Sequence, residues 1–313
     1  MRFAIFGVGA VGGYFGGRLA QAGEDVTFIA RGDHLKVLRA KGLRVDSVKG
    51  DIFLSPVTAI DDPAKVGTVD VVLLGIKTWQ VPVAAKQIQP LIGENTMVLP
   101  LQNGVEAATQ LTDVLGSENV CGGLAKIVCF LAGPGHIRHT GMDPYIGFGE
   151  LNNRHTERAE ALLRTLKHAG INAEIMSDIT AALWQKFLFV VSWGGIGAIT
   201  RAPIGVIRTV PQTRRLIEQA MGEISDVARA HQIHLPEDIV ATTLEFMDTL
   251  PPNGTTSMQR DIAEGRPSEI EAWNGAVVRL GGEAGVAVSL NAFIYGSLLP
   301  LEKKARGELR FET

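Results

Sequence analysis

Near the start of the chain a short apolar run, residues 2–6, breaks into Gly7-Val8-Gly9-Ala10-Val11-Gly12, and residues 10–22 read as a helix closed by Gly23. A G-x-G-x-x-G run alone is a weak signal in a chain with 36 glycines among 313 residues. Set between an apolar strand and a helix, it constrains the fold strongly. Gly7 lets the chain turn sharply as it leaves the strand. Gly9 presents no side chain where a pyrophosphate must come close, and Gly12 lets the helix pack tightly on the sheet. The helix start then offers unpaired N–H groups and its positive dipole end to a phosphate. The pattern predicts the first βαβ unit of a dinucleotide-binding sheet.

The following residues continue that rhythm. Strands are expected at 26–30, 43–45, 52–54, 69–76 and 97–101, and helices at 33–41, 81–91 and 105–115. The continuous apolar run at 69–76 has the pattern of a central parallel strand covered on both faces. Strand alternating with helix predicts a Rossmann-type doubly wound α/β sheet. Segments 124–131, 137–139 and 145–148 read as strands of a more antiparallel kind, followed by a helix at 154–168 and a last strand at 173–175. After Ser177 only helices are expected, at 180–194, 212–231, 236–250, 269–281 and 290–307, with Asp178 as an N-cap. The expected organisation is a dinucleotide-binding domain over 1–177 and an all-helical domain over 178–313.

The net charge of −3 lacks the basic excess of a chain built around nucleic-acid phosphates, and leaves room for a small anionic ligand in a local basic pocket. Cys121 and Cys129 fit no zinc or redox spacing and read as small core hydrophobes in a reducing compartment. The apolar N-terminal run is too short for a signal peptide. The run at 187–199 falls short of the roughly 20 residues of a membrane span. These features predict a cytoplasmic protein without a membrane partner. The seven histidines show no metal-binding spacing, and surface or turn positions are expected for them, with no catalytic metal. The apolar helices between 186 and 230 fit either a homodimer interface or a core.

The second strand runs into Arg31 with no acid at its end, where an NAD site usually places one on the ribose. A guanidinium there can pair with a 2′-phosphate, which favours NADP(H). Asp33, two residues on, keeps NAD open, and a solvated surface charge is the bland reading of Arg31. Lys77 and Asn103 follow two strand ends, where ligands gather in open α/β sheets. A helix-start lysine and a plain tight turn are the alternatives. Lys186 sits in an otherwise apolar helix, where a lysine either snorkels out or is held in a pocket against a partner. Ser268 reads as an N-cap, which puts Glu269 in a first helical turn, as a dipole-complementing surface acid or as a site residue.

Taken together, these residues resemble the ketopantoate reductase (2-dehydropantoate 2-reductase) family over nearly the whole chain. The resemblance rests on Gly7-x-Gly9-x-x-Gly12 with Arg31, Lys77-Thr78-Trp79-Gln80, Gln102-Asn103-Gly104, Trp184-x-Lys186, and Thr256-Ser257-Met258-x-x-Asp261 followed by Glu269. It implies a Rossmann domain, a helical domain and an active site in the cleft between them. The implied reaction is NADPH-dependent reduction of a small 2-oxoacid, ketopantoate, to pantoate, in pantothenate and coenzyme A biosynthesis. Lys186 then matches the catalytic lysine, whose ammonium stabilises the developing alkoxide and delivers its proton. Glu269 matches the glutamate that holds the lysine, a substrate hydroxyl and the cofactor side of the site. Ser257 matches the serine that binds the substrate carboxylate, and Asn103 and Lys77 match residues near substrate and cofactor. The family pattern places asparagines four and eight residues after the lysine. Here those positions are Val190 and Gly194, which predicts a more apolar or larger pocket unless Ser192 or Trp193 substitutes. Two other readings remain: a relative acting on a different 2-oxoacid or an imine, and a non-catalytic NADP-binding sensor.

Overall fold

A computed structural model describes residues 1–312, which divide into two compact units. The first holds Met1–Gln102 and Glu106–Thr180. The second runs from Ala181 onward and also includes Asn103–Val105. The division thus falls a few residues beyond the expected one, and the Asn103 turn packs with the helices rather than with the strand it follows.

The sheet unit is built on five parallel strands, β1 (Arg2–Phe6), β2 (Asp25–Ile29), β5 (Thr58–Ile60), β6 (Val71–Leu74) and β7 (Met97–Pro100), in the order β5-β2-β1-β6-β7. The order reverses between β1 and β6, so the C-terminal ends of these two strands flank the switch point where ligands of open α/β sheets bind. Both β6 and β7 are buried at every residue, as an apolar run covered by helices requires. Helices α1 (Ala10–Gln21), α2 (Gly32–Lys41), α3 (Val81–Gln87) and α4 (Ala107–Leu115) connect the strands. Two smaller sheets complete the unit. One takes β3 (Leu43–Ser47), β4 (Ile52–Leu54), β9 (Cys129–Gly133) and β10 (His136–His139), and the other takes β8 (Cys121–Lys126), β11 (Tyr145–Glu150) and β12 (Asn172–Ile175). Helix α5 (Glu157–His168) starts at Thr156, whose hydroxyl accepts from the Ala159 N–H.

Some expectations need correction. The stretch expected as one strand at 124–131 is two strands in different sheets. The edge strand β5 is only three residues long, too short for a periodic signal. His139 is buried rather than at the surface: its imidazole bonds to the Ser47 hydroxyl at 2.8 Å and to the Met142 carbonyl at 3.0 Å. Burial also lowers the pKa of His34, opposed by a hydrogen bond with the Val8 backbone, and its Nδ1 accepts from the Gly135 N–H.

The helical unit comprises α6 (Ile179–Thr200), α7 (Ile204–Thr209), α8 (Pro211–Ala230), α9 (Ile239–Asp248), α10 (Ser257–Ala263), α11 (Asn274–Ala284) and α12 (Ser289–Ala305). Its core is a single cluster in which Trp184, Phe187, Met221, Ile224, Trp273 and Ile294 take part. Helix α6 spans 22 residues, longer than expected, and is long and apolar enough to cross a membrane by length and composition. Within the structure, 61% of its apolar window is buried, which is how the central helix of a globular unit meets the same test.

Candidate active site

In the sheet unit the glycine turn is held by backbone contacts. Gly7 takes a φ of +93°, and its N–H donates to the Ile29 carbonyl at 3.1 Å. A Cβ on Gly12 would run into the Gly7 carbonyl oxygen. A third glycine, Gly75 at the end of β6, completes the contact: a Cβ there would lie 2.7 Å from the Gly12 backbone. Gly75 was not singled out from the sequence; its position at the end of the 69–76 run is the only signal for it. Gly9 differs from these three. A Cβ there would meet only the Gly75 carbonyl oxygen within 4 Å, at 3.6 Å, so the space above it is open. Gly9 is also the N-cap of α1 and brings no side-chain cap. Helix geometry leaves the N–H groups of Ala10, Val11 and Gly12 without intrahelical acceptors. Val8 points into the core. Together these residues form a cradle that fits a pyrophosphate.

Arg31 stands at the N-cap of α2, directly beyond β2. It is exposed, and its Nη2 donates to Gln87 Oε1 at 2.7 Å, which steadies the guanidinium beside α3. Asp33 pairs with Lys36 at 2.8 Å. Beyond β6, the Lys77 N–H donates to Gln80 Oε1, and the Lys77 ammonium lies 5.8 Å from the centre of the Trp79 ring. The Gln102 amide donates to the carbonyls of Leu74 and Ile76, at 3.0 and 3.1 Å. It thereby pins the end of β6 to the segment after β7, a positioning task its sequence cluster did not reveal.

In the helical unit, Lys186 is partly buried on α6, between Trp184 and Phe187 of the core. Val190 and Gly194 follow on the same face, one and two turns along. Trp193 shares that face, and its ring lies 5.5 Å from that of Phe189. Its indole N–H has no hydrogen-bond partner among the described residues. Ser192 is fully buried, and its hydroxyl has no hydrogen-bond partner among the described residues.

Gly194 has a steric reason. A Cβ there would lie 2.6 Å from the Trp273 ring and 3.2 Å from the Thr256 hydroxyl. Thr256 caps α10 by accepting from the Gln259 N–H, and Ser257 is the first residue of that helix. The same packing therefore brings the Ser257 end of α10 against α6. The Asn103-Gly104 turn lies against the segment before α11: a Cβ on Gly104 would lie 3.6 Å from the Ala272 carbonyl oxygen. Asp261 is a structural member of its motif, accepting from Arg266 at 2.8 Å as the chain leaves α10.

Glu269 requires a correction. It does not lie in the first turn of a helix, because α11 begins only at Asn274. It sits in the turn before, where its carbonyl accepts from the Ala272 N–H, and it is only 6% exposed. A carboxylate so buried is not a dipole-complementing surface acid. The Ser268 hydroxyl does accept from the Ile270 N–H, at 3.4 Å, but it caps a turn rather than a helix.

Comparison with known proteins identifies the family of the chain. The family model described as ketopantoate reductase PanE/ApbA matches residues 3–153, and that of the ketopantoate reductase PanE/ApbA C terminal matches residues 178–302. A 2-dehydropantoate 2-reductase of Nostoc sp. is 31% identical, covering 100% of this chain and 99% of its own. The crystal structure of a PanE/ApbA family ketopantoate reductase from Ralstonia eutropha is 32% identical with a TM-score of 0.89, over 98% of this chain and 100% of that one. A D-mandelate dehydrogenase solved with NADH and anilino(oxo)acetate, 24% identical, shares the fold with a TM-score of 0.88, over 98% of this chain and 99% of its own. With both family models matched and full-length relatives above 30% identity, the chain belongs to the ketopantoate reductase family.

Proposed function

We propose that this protein is an NADPH-dependent reductase of 2-oxoacids, with ketopantoate as its leading substrate and pantoate as product, serving pantothenate and coenzyme A biosynthesis. The observation that supports the reading is how α6, the helix of Lys186, packs within the helical unit. Helix α6 bears Lys186 and packs at Gly194 against Trp273, four residues after Glu269, and against Thr256, the residue before Ser257, which supports a shared site for the three groups. A non-catalytic sensor has no use for both Lys186 and Glu269.

The open space at Gly9 and the uncapped start of α1 suit the cofactor's pyrophosphate, and Arg31 suits a 2′-phosphate. Bound NADPH supplies the hydride. The chain's own residues do the rest. Ser257 binds the substrate carboxylate. Glu269 holds the lysine and a substrate hydroxyl. The Lys186 ammonium stabilises negative charge on the carbonyl oxygen and hands it a proton. Purified protein with ketopantoate should consume NADPH, followed by its absorbance. Lys186→Ala should lower kcat by about 10³-fold, within the range for loss of a positioned acid. Undiminished turnover by that variant rejects the assignment.

A second reading keeps the chemistry and changes the substrate. It is favoured by the face after Lys186, where Val190 and Gly194 replace a pair of amides, Trp193 lies beside them and Trp273 fills the space over Gly194. That face suits a 2-oxoacid with an apolar group in place of the hydroxymethyl end of ketopantoate, or an imine of similar shape. A panel of 2-oxoacids compared by kcat/KM separates the two readings: preference for an apolar 2-oxoacid over ketopantoate selects the second.

A further inference from the structure

Glu269 hangs on a segment, residues 264–273, with no helix or strand of its own. Part of what fixes that segment comes from α12. The Glu302 carboxylate is 2% exposed. Its Oε2 accepts from the Ser268 N–H at 2.8 Å and from the Ser268 hydroxyl at 2.6 Å. Its Oε1 accepts from Arg306 Nε at 2.6 Å, and Arg306 Nη2 reaches the Ser268 carbonyl at 3.4 Å. The Ser268 hydroxyl accepts in turn from the Ile270 N–H. The residues on both sides of Glu269 are therefore tied, directly or through one hydroxyl, to a single ion pair whose carboxylate is buried and whose guanidinium is partly buried.

An ion pair with a buried carboxylate is a poor source of stability, because desolvation offsets the attraction. This pair also spends its acceptors on the backbone and hydroxyl of the residue next to the candidate acid. We infer that the Glu302–Arg306 pair is a positioning device for Glu269: by clamping Ser268 it sets where the Glu269 carboxylate points. The inference rests on the role given to Glu269 above. Glu302 acts through Ser268 and is a positioning residue. Displacement of a reacting group by about 1 Å can lower a rate 10²-fold, so a clamp of this kind has a measurable effect.

The test is a double-mutant cycle on the full-length protein. Ser268→Ala removes the hydroxyl and keeps the N–H bond to Glu302, a change small enough to leave the fold intact. It should lower kcat about tenfold, with the KM for NADPH unchanged. In a Glu269→Gln background it should lower kcat no further, because the clamp works through Glu269. Multiplying losses in the double variant, or wild-type kcat in Ser268→Ala, overturn the inference. Hydrogen exchange gives a readout that does not need turnover. In Glu302→Gln, amides 268–273 should exchange faster than in wild type while those of α8 are unchanged. If wild-type protein reduces no 2-oxoacid, the proposed function falls, and exchange decides the clamp alone: faster exchange at 268–273 upholds it and unchanged exchange overturns it.

Discussion

The sheet unit and the helical unit each close around a cluster of glycines, and they use them in opposite ways. At the switch point of the sheet, Gly7, Gly12 and Gly75 let backbone meet backbone, and the compact turn leaves space over Gly9 for a ligand. On α6, Gly194, Gly195 and Gly197 let side chains meet backbone. Trp273, Ile294 with Asn274, and Gln259 fill those positions, with contacts of 2.6 to 3.1 Å to a Cβ placed there. One cluster makes room for something outside the chain, and the other has its room taken by the chain itself. A missing side chain is thus a space whose owner depends on the elements packed against it. For the helical unit this means that the absent asparagine at 194 is more than a lost amide: Trp273 occupies its place.

Breaking the sheet cluster should have the largest effect. Gly12→Ala sets a methyl against the Gly7 carbonyl, with no flexible side chain to give way. A loss of about 3 kcal/mol or more is expected in thermal melts, together with loss of NADPH binding in a titration. Normal binding by this variant contradicts the backbone-on-backbone reading. The helical cluster should yield more gently, because a side chain can move. Gly194→Asn should destabilise by about 1–3 kcal/mol, and pairing it with Trp273→Leu should recover part of that loss. Strict additivity of the two changes breaks the comparison. At the rim of the cradle, Arg31→Ala should weaken NADPH about tenfold, the scale of a charge-assisted contact, and leave NADH unchanged. Equal loss for both cofactors removes the argument for NADP(H).

The smallest effect sharpens the comparison by separating the units by pH. In the sheet unit, burial raises the pKa of Glu150, and hydrogen bonds from Arg158 and Thr156 more than offset it, leaving the carboxyl below its ordinary value of 4.5. A group depressed in the folded state stabilises fully above its unfolded value and loses that contribution as pH falls through the folded one. Denaturant melts should therefore show the sheet unit weakening as pH falls below 4.5, with a shallower pH slope in Glu150→Gln. An unchanged slope in that variant removes Glu150 as the cause.

Much of the sheet unit was legible because its signals are local. An apolar run, a glycine spacing and a strand-end arginine lie within 31 residues of the start, and β1, α1 and β2 form within a residue of where they were expected. The short edge strand β5 and the break between β8 and β9 were not legible, since three residues carry no period and β9 is largely exposed. In the helical unit, α6 is apolar all round, so its length and buried face escaped a periodicity argument. Helix α7 and the late start of α11 escaped as well. For Glu269, the serine before it imitated an N-cap while belonging to a turn held from α12.

The sequence by itself determined the glycine turn and the family, because the turn is written in residue types at short, fixed spacings and the family in several such clusters in order. Only the tertiary structure decided what surrounds those groups. That Gly75 seals the glycine turn, that Trp273 stands over Gly194, that Asn103 packs with the helices and that Glu302 grips the residue beside Glu269 are contacts between segments about thirty to 170 residues apart. Such contacts follow from how helices and strands stack, and no local pattern along the chain encodes them.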